Sequence, residues 1–191
     1  MGAASSQAKI EDARNAVLVL IRRDNKQVLL TRERMGPDQK KWGLPGGKIE
    51  RGYDARQTFA KEAREEVLID YTMWRNNKEV GVDYVMCGTT AYFIRELRPN
   101  LIQDRNSQNI FYPNQGGRIG LLYDNGEIDG VHWTKLSDLL ATPYKLQDVL
   151  RYKARDGSVS VRENKGLRNC FVRCLSDPDV RRVLTDVYNS L

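Results

Sequence analysis

The sequence predicts an α+β fold built on one domain with short additions at either end, and three observations carry that reading. Short apolar runs of β character recur between Ala16 and Lys135, separated by polar and glycine-containing turns. One strong amphipathic helix, Ala55–Val67, stands among them. The 191 residues are 40% hydrophobic and 29% charged, with a mean hydropathy of −0.60. That composition is globular and excludes disordered, collagenous and membrane-spanning classes.

In chain order, residues 1–14 read as a flexible tail. Met1-Gly2-Ala3-Ala4-Ser5-Ser6 fits the M-G-x-x-x-[ST] pattern of N-myristoylation, with a plain small-residue tail as the alternative. A single acyl chain anchors marginally, and Lys9 and Arg14 are offset by Glu11 and Asp12. Membrane contact is therefore expected to be weak and to run through Gly2 alone. Ala16–Ile21 is a continuous apolar run, Asp24–Gln27 is turn material, and Val28–Leu30 is apolar again, which reads as a hairpin or neighbouring strands. Trp42-Gly43-Leu44-Pro45-Gly46-Gly47 holds three glycines and a proline and reads as a loop whose backbone can approach something closely.

Asp54 is the expected N-cap of the helix Ala55–Val67, whose Phe59, Ala63 and Val67 recur at i, i+4, i+8 as a buried stripe. Ile69–Trp74 and Gly88–Leu97 read as strands, with a turn at Asn76-Asn77-Lys78. Leu101–Gly117 reads as a long loop, and Ile119–Tyr123 and Val131–Lys135 as short strands around Asp124-Asn125-Gly126. Leu136–Leu140 starts a short helix. Residues 141–191 form a charged, mainly helical extension expected to pack on the same domain, ending in a helix over Asp179–Leu191 with Val180, Val183, Leu184 and Val187 on one side. The cysteines, Cys87, Cys170 and Cys174, lack C-x-x-C spacing, and Cys170 and Cys174 read as small apolar packers on one helix face. No leader-like apolar stretch opens the chain, and a reducing, cytoplasmic setting is the default expectation.

Charge narrows the partner. Lys and Arg number 31 and Asp and Glu 25, a surplus of six, with a sequence pI near 9.3. A basic surplus points to an anionic partner such as a nucleotide, RNA or a phosphorylated metabolite. Yet the informative charges are acidic. Glu62, Glu65 and Glu66 lie at i, i+3, i+4 of the helix, on one side. Such carboxylates repel, so they face either solvent with cationic neighbours Lys61 and Arg64, or a compensating ion. The glycine-rich turn before the helix can bring a backbone carbonyl beside them. Carboxylate, carbonyl and water oxygens are the ligands of Mg²⁺, which also bridges phosphates.

From Gly47 to Ile69 (GKIERGYDARQTFAKEAREEVLI) the sequence resembles the Nudix hydrolase box, G-x5-E-x7-R-E-U-x-E-E-x-G-U with U bulky and apolar. WGLPGGKIE upstream and Trp133-Thr134-Lys135-Leu136 downstream are also similar to that family, and the likeness spans about Asn15 to Leu140. It implies an αβα sandwich with a mixed β-sheet and the acidic box helix. It also implies Glu62 and Glu66 as metal ligands together with the Gly46 carbonyl, and Glu65 as a further ligand or the base that deprotonates water. A fourth acid from the loop before the last core strand is implied too, Glu127 by position, with Asp129 the competitor. The implied chemistry is Mg²⁺ (or Mn²⁺)-dependent hydrolysis of a phosphoanhydride, with the metals clamping the diphosphate. Substrate contacts are expected from Arg32 and Arg34, alternating on one strand face, and from Lys48. Tyr84 stands near a position where some relatives that cleave dinucleoside polyphosphates carry a tyrosine. His132 and the tryptophans read as packing groups.

Three box positions depart. Tyr53 replaces the first Glu, Lys61 the Arg, and Leu68 the late Gly. In the family that Glu and Arg pair, so the first two losses belong together, and Lys61 still offers one cationic bond. Leu68 resists the left-handed turn a glycine allows, so the helix is expected to exit differently. Two functions follow. One is a hydrolase of a nucleoside diphosphate linked to another group: a dinucleoside polyphosphate, nucleotide sugar, RNA cap or diphosphoinositol phosphate. The other is a weak or inactive module of the same fold that binds a nucleotide, RNA or a partner protein. A homodimer through the last helix is an open option in either case.

Overall fold

The computed structural model describes residues 9–67, 69, 71–72, 74–76, 82–98, 127–141 and 166–191. Gly2, Leu68, the loop at 101–117 and the strand expected at 119–123 lie outside the described residues.

After a 3-10 turn at Ile10–Asp12 come β1 (Asn15–Arg22), β2 (Gln27–Glu33), β3 (Trp42–Gly43), β4 (Gly46–Lys48), α1 (Ala55–Val67), β5 (Trp74–Asn76), β6 (Tyr84–Cys87), β7 (Thr90–Leu97), β8 (Ile128–Lys135), α2 (Leu136–Leu140), α3 (Asn169–Ser176) and α4 (Pro178–Ser190). The strands form one mixed sheet whose spine is β3-β2-β1-β7-β5. β1 and β7 run parallel from Asn15↔Thr90 to Ile21↔Glu96, and β8 lies antiparallel along β2.

β1 is buried on both faces, which is why it reads as an unbroken apolar run rather than an alternation. Its even residues Ala16, Leu18 and Leu20 face α1 with Phe59, Ala63, Val67, Phe93 and Trp133. Its odd residues Val19 and Ile21 face the other layer with Ile94, Phe171, Leu175, Val183 and Val187 of the sheet, α3 and α4. The chain is thus a sheet between helical layers, the expected αβα sandwich, and the charged tail supplies most of one layer.

β1 and β2 pair only at Ile21↔Val28 and Arg22↔Gln27. Below that they part. β4 takes the free edge of β1 at Asn15↔Lys48, Ala16↔Gly47 and Val17↔Gly46, and β3 takes that of β2 at Thr31↔Gly43 and Arg32↔Trp42. The glycine-rich stretch is therefore not an irregular loop but two short strands wedged into the split. The Leu18 N–H donates to the Pro45 carbonyl at 2.8 Å and keeps the wedge closed.

Other boundaries move for local reasons. Ile69 is a buried core residue outside any strand, and the strand forms at Trp74–Asn76, where β7 offers a partner edge. β6 makes a tight hairpin with β7 through Gly88 at φ +57, so Gly88 is turn and not strand. The α1 layer depends on Phe59, 4% exposed and stacked on Phe93 at 4.2 Å between centroids. Phe59→Ala should cost about 3–5 kcal/mol in urea unfolding; a loss below about 1 kcal/mol would show that this face is not core.

Candidate active site

The box helix starts where the sequence places its cap. The Gln57 N–H donates to Asp54 Oδ1 at 2.7 Å, and the Asp54 N–H donates to Gln57 Oε1 at 2.9 Å, a reciprocal capping box. From there the helical period decides the fate of each glutamate. Ala55, Phe59, Ala63 and Glu66 share the buried stripe, so Glu66 is carried inward and is only 4% exposed, whereas Glu62 and Glu65 sit at its margin.

Glu66 meets the wedge. The Gly46 N–H donates to Glu66 Oε2 at 3.0 Å. Gly47 lies against Glu62, where a Cβ would come within 2.7 Å of Oε1. Gly46 has φ +154, and a Cβ there would strike the Ala16 carbonyl oxygen at 2.5 Å and the Val17 Cα at 2.6 Å. Both glycines are thus required by close approach, one to backbone and one to a carboxylate.

Burial raises the pKa of Glu66 well above the carboxylate range; the Gly46 N–H opposes this, and Glu62, Glu33 and Glu127 add to the rise. Glu62 is raised as well, first by burial and then by Glu65, while Lys61 pulls it down. Glu127, exposed just before β8, is close enough to act electrostatically on both acids. Among the described residues, no group of three or more His, Cys, Asp or Glu side chains is gathered closely enough to hold a metal ion. The donor set nonetheless suits a hard divalent cation: a desolvated carboxylate with like-charged neighbours is what an oxygen-seeking ion relieves, and backbone and water oxygens complete such a shell.

The Tyr53 and Lys61 departures are coupled in space. Lys61 Nζ lies 5.2 Å from the Tyr53 ring centroid and donates to Glu50 Oε2 at 3.1 Å. Its ammonium is held above its usual pKa first by that Glu50 bond, with Glu65 and Glu62 contributing. A cation on an aromatic face stands where the family has an ion pair, and the positive charge beside the acids is kept.

The expected substrate cations separate. Arg32 is 3% exposed, its guanidinium 5.6 Å from the Trp42 ring centroid, so it is part of the interior. β2 ends at Glu33, so Arg34 lies beyond the strand whose alternation would have put it on one face with Arg32. Arg34 instead stays by Glu127, its N–H donating to the Glu127 carbonyl at 2.7 Å and its Nη2 to the Ile128 carbonyl at 3.4 Å. Lys48 is exposed at the start of β1, opposite Asn15. Tyr84 packs on the α1 face, 5.8 Å from the Phe93 ring. His132 packs edge-on against Trp42 at 5.9 Å.

On the opposite face of the wedge lies a cleft of about 220 Å³. Val17, Leu44, Tyr92 and Phe171 give it apolar walls, Asn15 and Thr90 polar groups, and the Gly46–Gly47 backbone its common wall with the carboxylates. Arg168 closes it from the C-terminal segment. Its Nη1 donates to Glu33 at 3.0 Å and its Nε to Asp38 at 3.1 Å, and its stem lies where a Gly43 Cβ would sit, 2.7 Å away. Trp42 and Leu167 form a parallel bridge, with the Arg168 N–H on the Trp42 carbonyl at 2.8 Å. Glu33, Tyr92 and Arg168 were not visible as site residues in the sequence. Arg168 is 125 positions from Gly43, and no local pattern announces such a contact.

The NUDIX domain family model matches residues 12–153. The chain belongs to the Nudix family, and its class is that of a Nudix-type pyrophosphohydrolase. No curated protein matches it significantly. Among solved structures, it is similar to a C. elegans Ap4A hydrolase binary complex at 14% identity and a TM-score of 0.46, covering 92% of this chain and 94% of that one. A second C. elegans Ap4A hydrolase structure gives 18%, 0.41, 75% and 96% for the same quantities. A structure of MutT, from work on Aliivibrio salmonicida and Vibrio cholerae, gives 16%, 0.37, 73% and 94%.

Two outcomes are expected. Gly46→Ala should cost about 1–3 kcal/mol of stability, because backbone must move, whereas Gly47→Ala should keep the melting temperature within a few degrees and lower activity by displacing Glu62; equal stability losses for the two would refute this division. Glu66 has a raised folded pKa, so the folded state holds its proton while the unfolded state has released it. Stability therefore falls as pH rises above about 4.5. Without metal, Glu66→Gln should melt higher than wild type at pH 8, by roughly 2–4 °C for each 1 kcal/mol relieved, and the gap should close near pH 4. Differential scanning calorimetry in EDTA reads both.

Proposed function

We propose that this protein hydrolyses a phosphoanhydride in a nucleoside diphosphate linked to a second group, with Mg²⁺ or Mn²⁺ as cofactor. The observation that carries the reading is the placement of Glu66: a buried carboxylate, one hydrogen bond from a glycine wedge, with Glu62 beside it and a cleft behind the same wedge. Nothing in core packing calls for a carboxylate at that stripe position, and burying it without a cation is costly.

In this reading Glu62, Glu66 and the Gly46 carbonyl hold the cation, and Glu127 adds a carboxylate from before β8. When bound, the cation neutralises the diphosphate and makes a water more acidic. Glu65, at the stripe margin, takes the proton from the attacking water. Lys61 opposes the rise in the Glu62 pKa. The cleft takes the nucleoside, with Val17, Leu44 and Phe171 against its flat faces and Asn15 and Thr90 for its polar edge. Arg34, beside Glu127, and the exposed Lys48 suit the remaining phosphate charge, while Arg32 acts from the interior by supporting Trp42. RNA enters as the substrate body only if the linked group is a cap.

A hydrolysis screen with Mg²⁺ and Mn²⁺ across dinucleoside polyphosphates, nucleotide sugars, capped RNA and diphosphoinositol phosphates tests this. Turnover of at least one class is expected, with Glu66→Gln slower by at least about 100-fold, the upper range for losing a mere supporting contact of a metal site. No turnover on any substrate favours the binding module. Turnover untouched by Glu66→Gln overturns the assignment of the site.

A further inference from the structure

The C-terminal segment reaches the cleft with a cation and a flat ring from one helical turn. Arg168 immediately precedes α3 and Phe171 stands three positions on; both line the cleft. Both also lie beyond residue 153, where the family match ends. The segment is held on either side of Leu167. The Trp42 N–H donates to the Gly166 carbonyl at 2.7 Å, and the Arg168 N–H donates to the Trp42 carbonyl at 2.8 Å. The Arg168 carbonyl in turn accepts from the Phe171 and Val172 N–H groups, each at 3.0 Å. The Arg168 backbone is thus fixed through its donor and its acceptor.

Its side chain is fixed as well. The stem runs over Gly43, whose missing Cβ leaves the room, and Nε and Nη1 are committed to Asp38 and Glu33. Nη2 makes no hydrogen bond among the described residues, and the side chain is 27% exposed. A guanidinium has more N–H donors than these two acceptors use, so a preorganised donor is left over. Charge decides what it suits. Lys41 also reaches Asp38, at 3.3 Å, so the charges of Arg168, Lys41, Glu33 and Asp38 sum to zero. A phosphate would meet no net attraction there and would be brought near two carboxylates. A neutral acceptor, a ring nitrogen or a carbonyl oxygen, incurs no such repulsion, and Phe171 offers it a flat apolar neighbour.

We propose that Arg168 is a specificity-determining residue, whose Nη2 donates to a neutral acceptor on the edge of a nucleobase lodged beside Phe171. The C-terminal segment then reads the base end of the ligand and leaves the phosphates to the acidic side of the wedge. The inference rests on the cleft being the nucleoside site. It assigns to residues outside the family match the choice among ligands that share a diphosphate. Losing one hydrogen bond from a charged donor weakens binding by about 10-fold or more. Loss of the Asp38 anchor alone leaves the open donor, the Glu33 contact and both backbone bonds in place.

Nucleosides alone isolate this contact from phosphate, metal and turnover. The full chain in EDTA is titrated with millimolar adenosine, guanosine, cytidine and uridine, and separately with pyrophosphate, while heteronuclear NMR follows the Arg168 Nε–H signal. At least one nucleoside should bind and move that signal, and pyrophosphate should not. Arg168→Met should weaken the nucleoside about 10-fold or more. Asp38→Asn should lower the melting temperature yet keep nucleoside affinity within about 3-fold. Unchanged affinity in Arg168→Met, an equal loss in Asp38→Asn, a signal moved by pyrophosphate, or binding by none of the nucleosides overturns the proposal. Should either variant fail to fold, the wild-type signal with nucleosides against pyrophosphate still decides. Hydrolysis is judged apart: turnover without nucleoside contact at Arg168 removes this inference and keeps the activity, and contact without turnover keeps this inference on a binding module.

Discussion

The hydrogen bond from the Gly46 N–H to the Glu66 carboxylate, at 3.0 Å, sets terms for the rest of the molecule. To reach Glu66, the glycine wedge has to enter the sheet. To admit the wedge, β1 and β2 have to part after two paired residues each. To close the gap, β3 and β4 take the vacated edges, which only residues without Cβ atoms can do at Gly46. On the other side, α1 has to turn a glutamate into its apolar stripe, and Phe59 and Ala63 hold it there against the sheet. Split, wedge and stripe are one solution to keeping a carboxylate in the interior.

That solution also explains why the site has two faces. The wedge is a single layer of backbone, with carboxylates on one side and the cleft on the other. The acids and the cleft can therefore vary separately. Substitutions in α1 act on the acids, while those in α3 act on the cleft wall at Cys170 and Phe171. The Tyr53 and Lys61 pair shows how far the acidic side tolerates change: a cation on an aromatic ring takes the place of an ion pair, because what the acids need nearby is positive charge rather than a particular fork of donors.

Legibility in the sequence followed the range of the interactions. α1, its cap and its stripe are local patterns, and β1 and β2 announce themselves as apolar runs, so these were visible. The three glutamates were visible as a cluster, but their unequal burial depends on where the stripe lands against the sheet. β3 and β4 hid because glycine reads as loop unless a neighbouring edge is known to be vacant. Arg32 and Arg34 misled because β2 stops at Glu33, so the alternation of the strand does not reach Arg34. β6, Glu33 and Arg168 were silent for one shared reason: each acquires its role from a partner far along the chain.

The parallel bridge from Trp42 to Leu167 and the packing of α3 and α4 have a consequence for synthesis. Val19, Ile21, Val28 and Leu30 emerge early, yet the helices that cover them are made last. The α1 layer can begin to assemble on the growing chain, because its partners in β1 and β7 are present before β8 adds Ile128, Val131 and Trp133. The other face of the sheet then waits, an apolar surface open to water and to neighbouring chains until α3 and α4 arrive. Newly made copies should accordingly be most dependent on chaperones between completion of β7 and docking of α4, a window defined by the order of translation rather than by the stability of the finished fold.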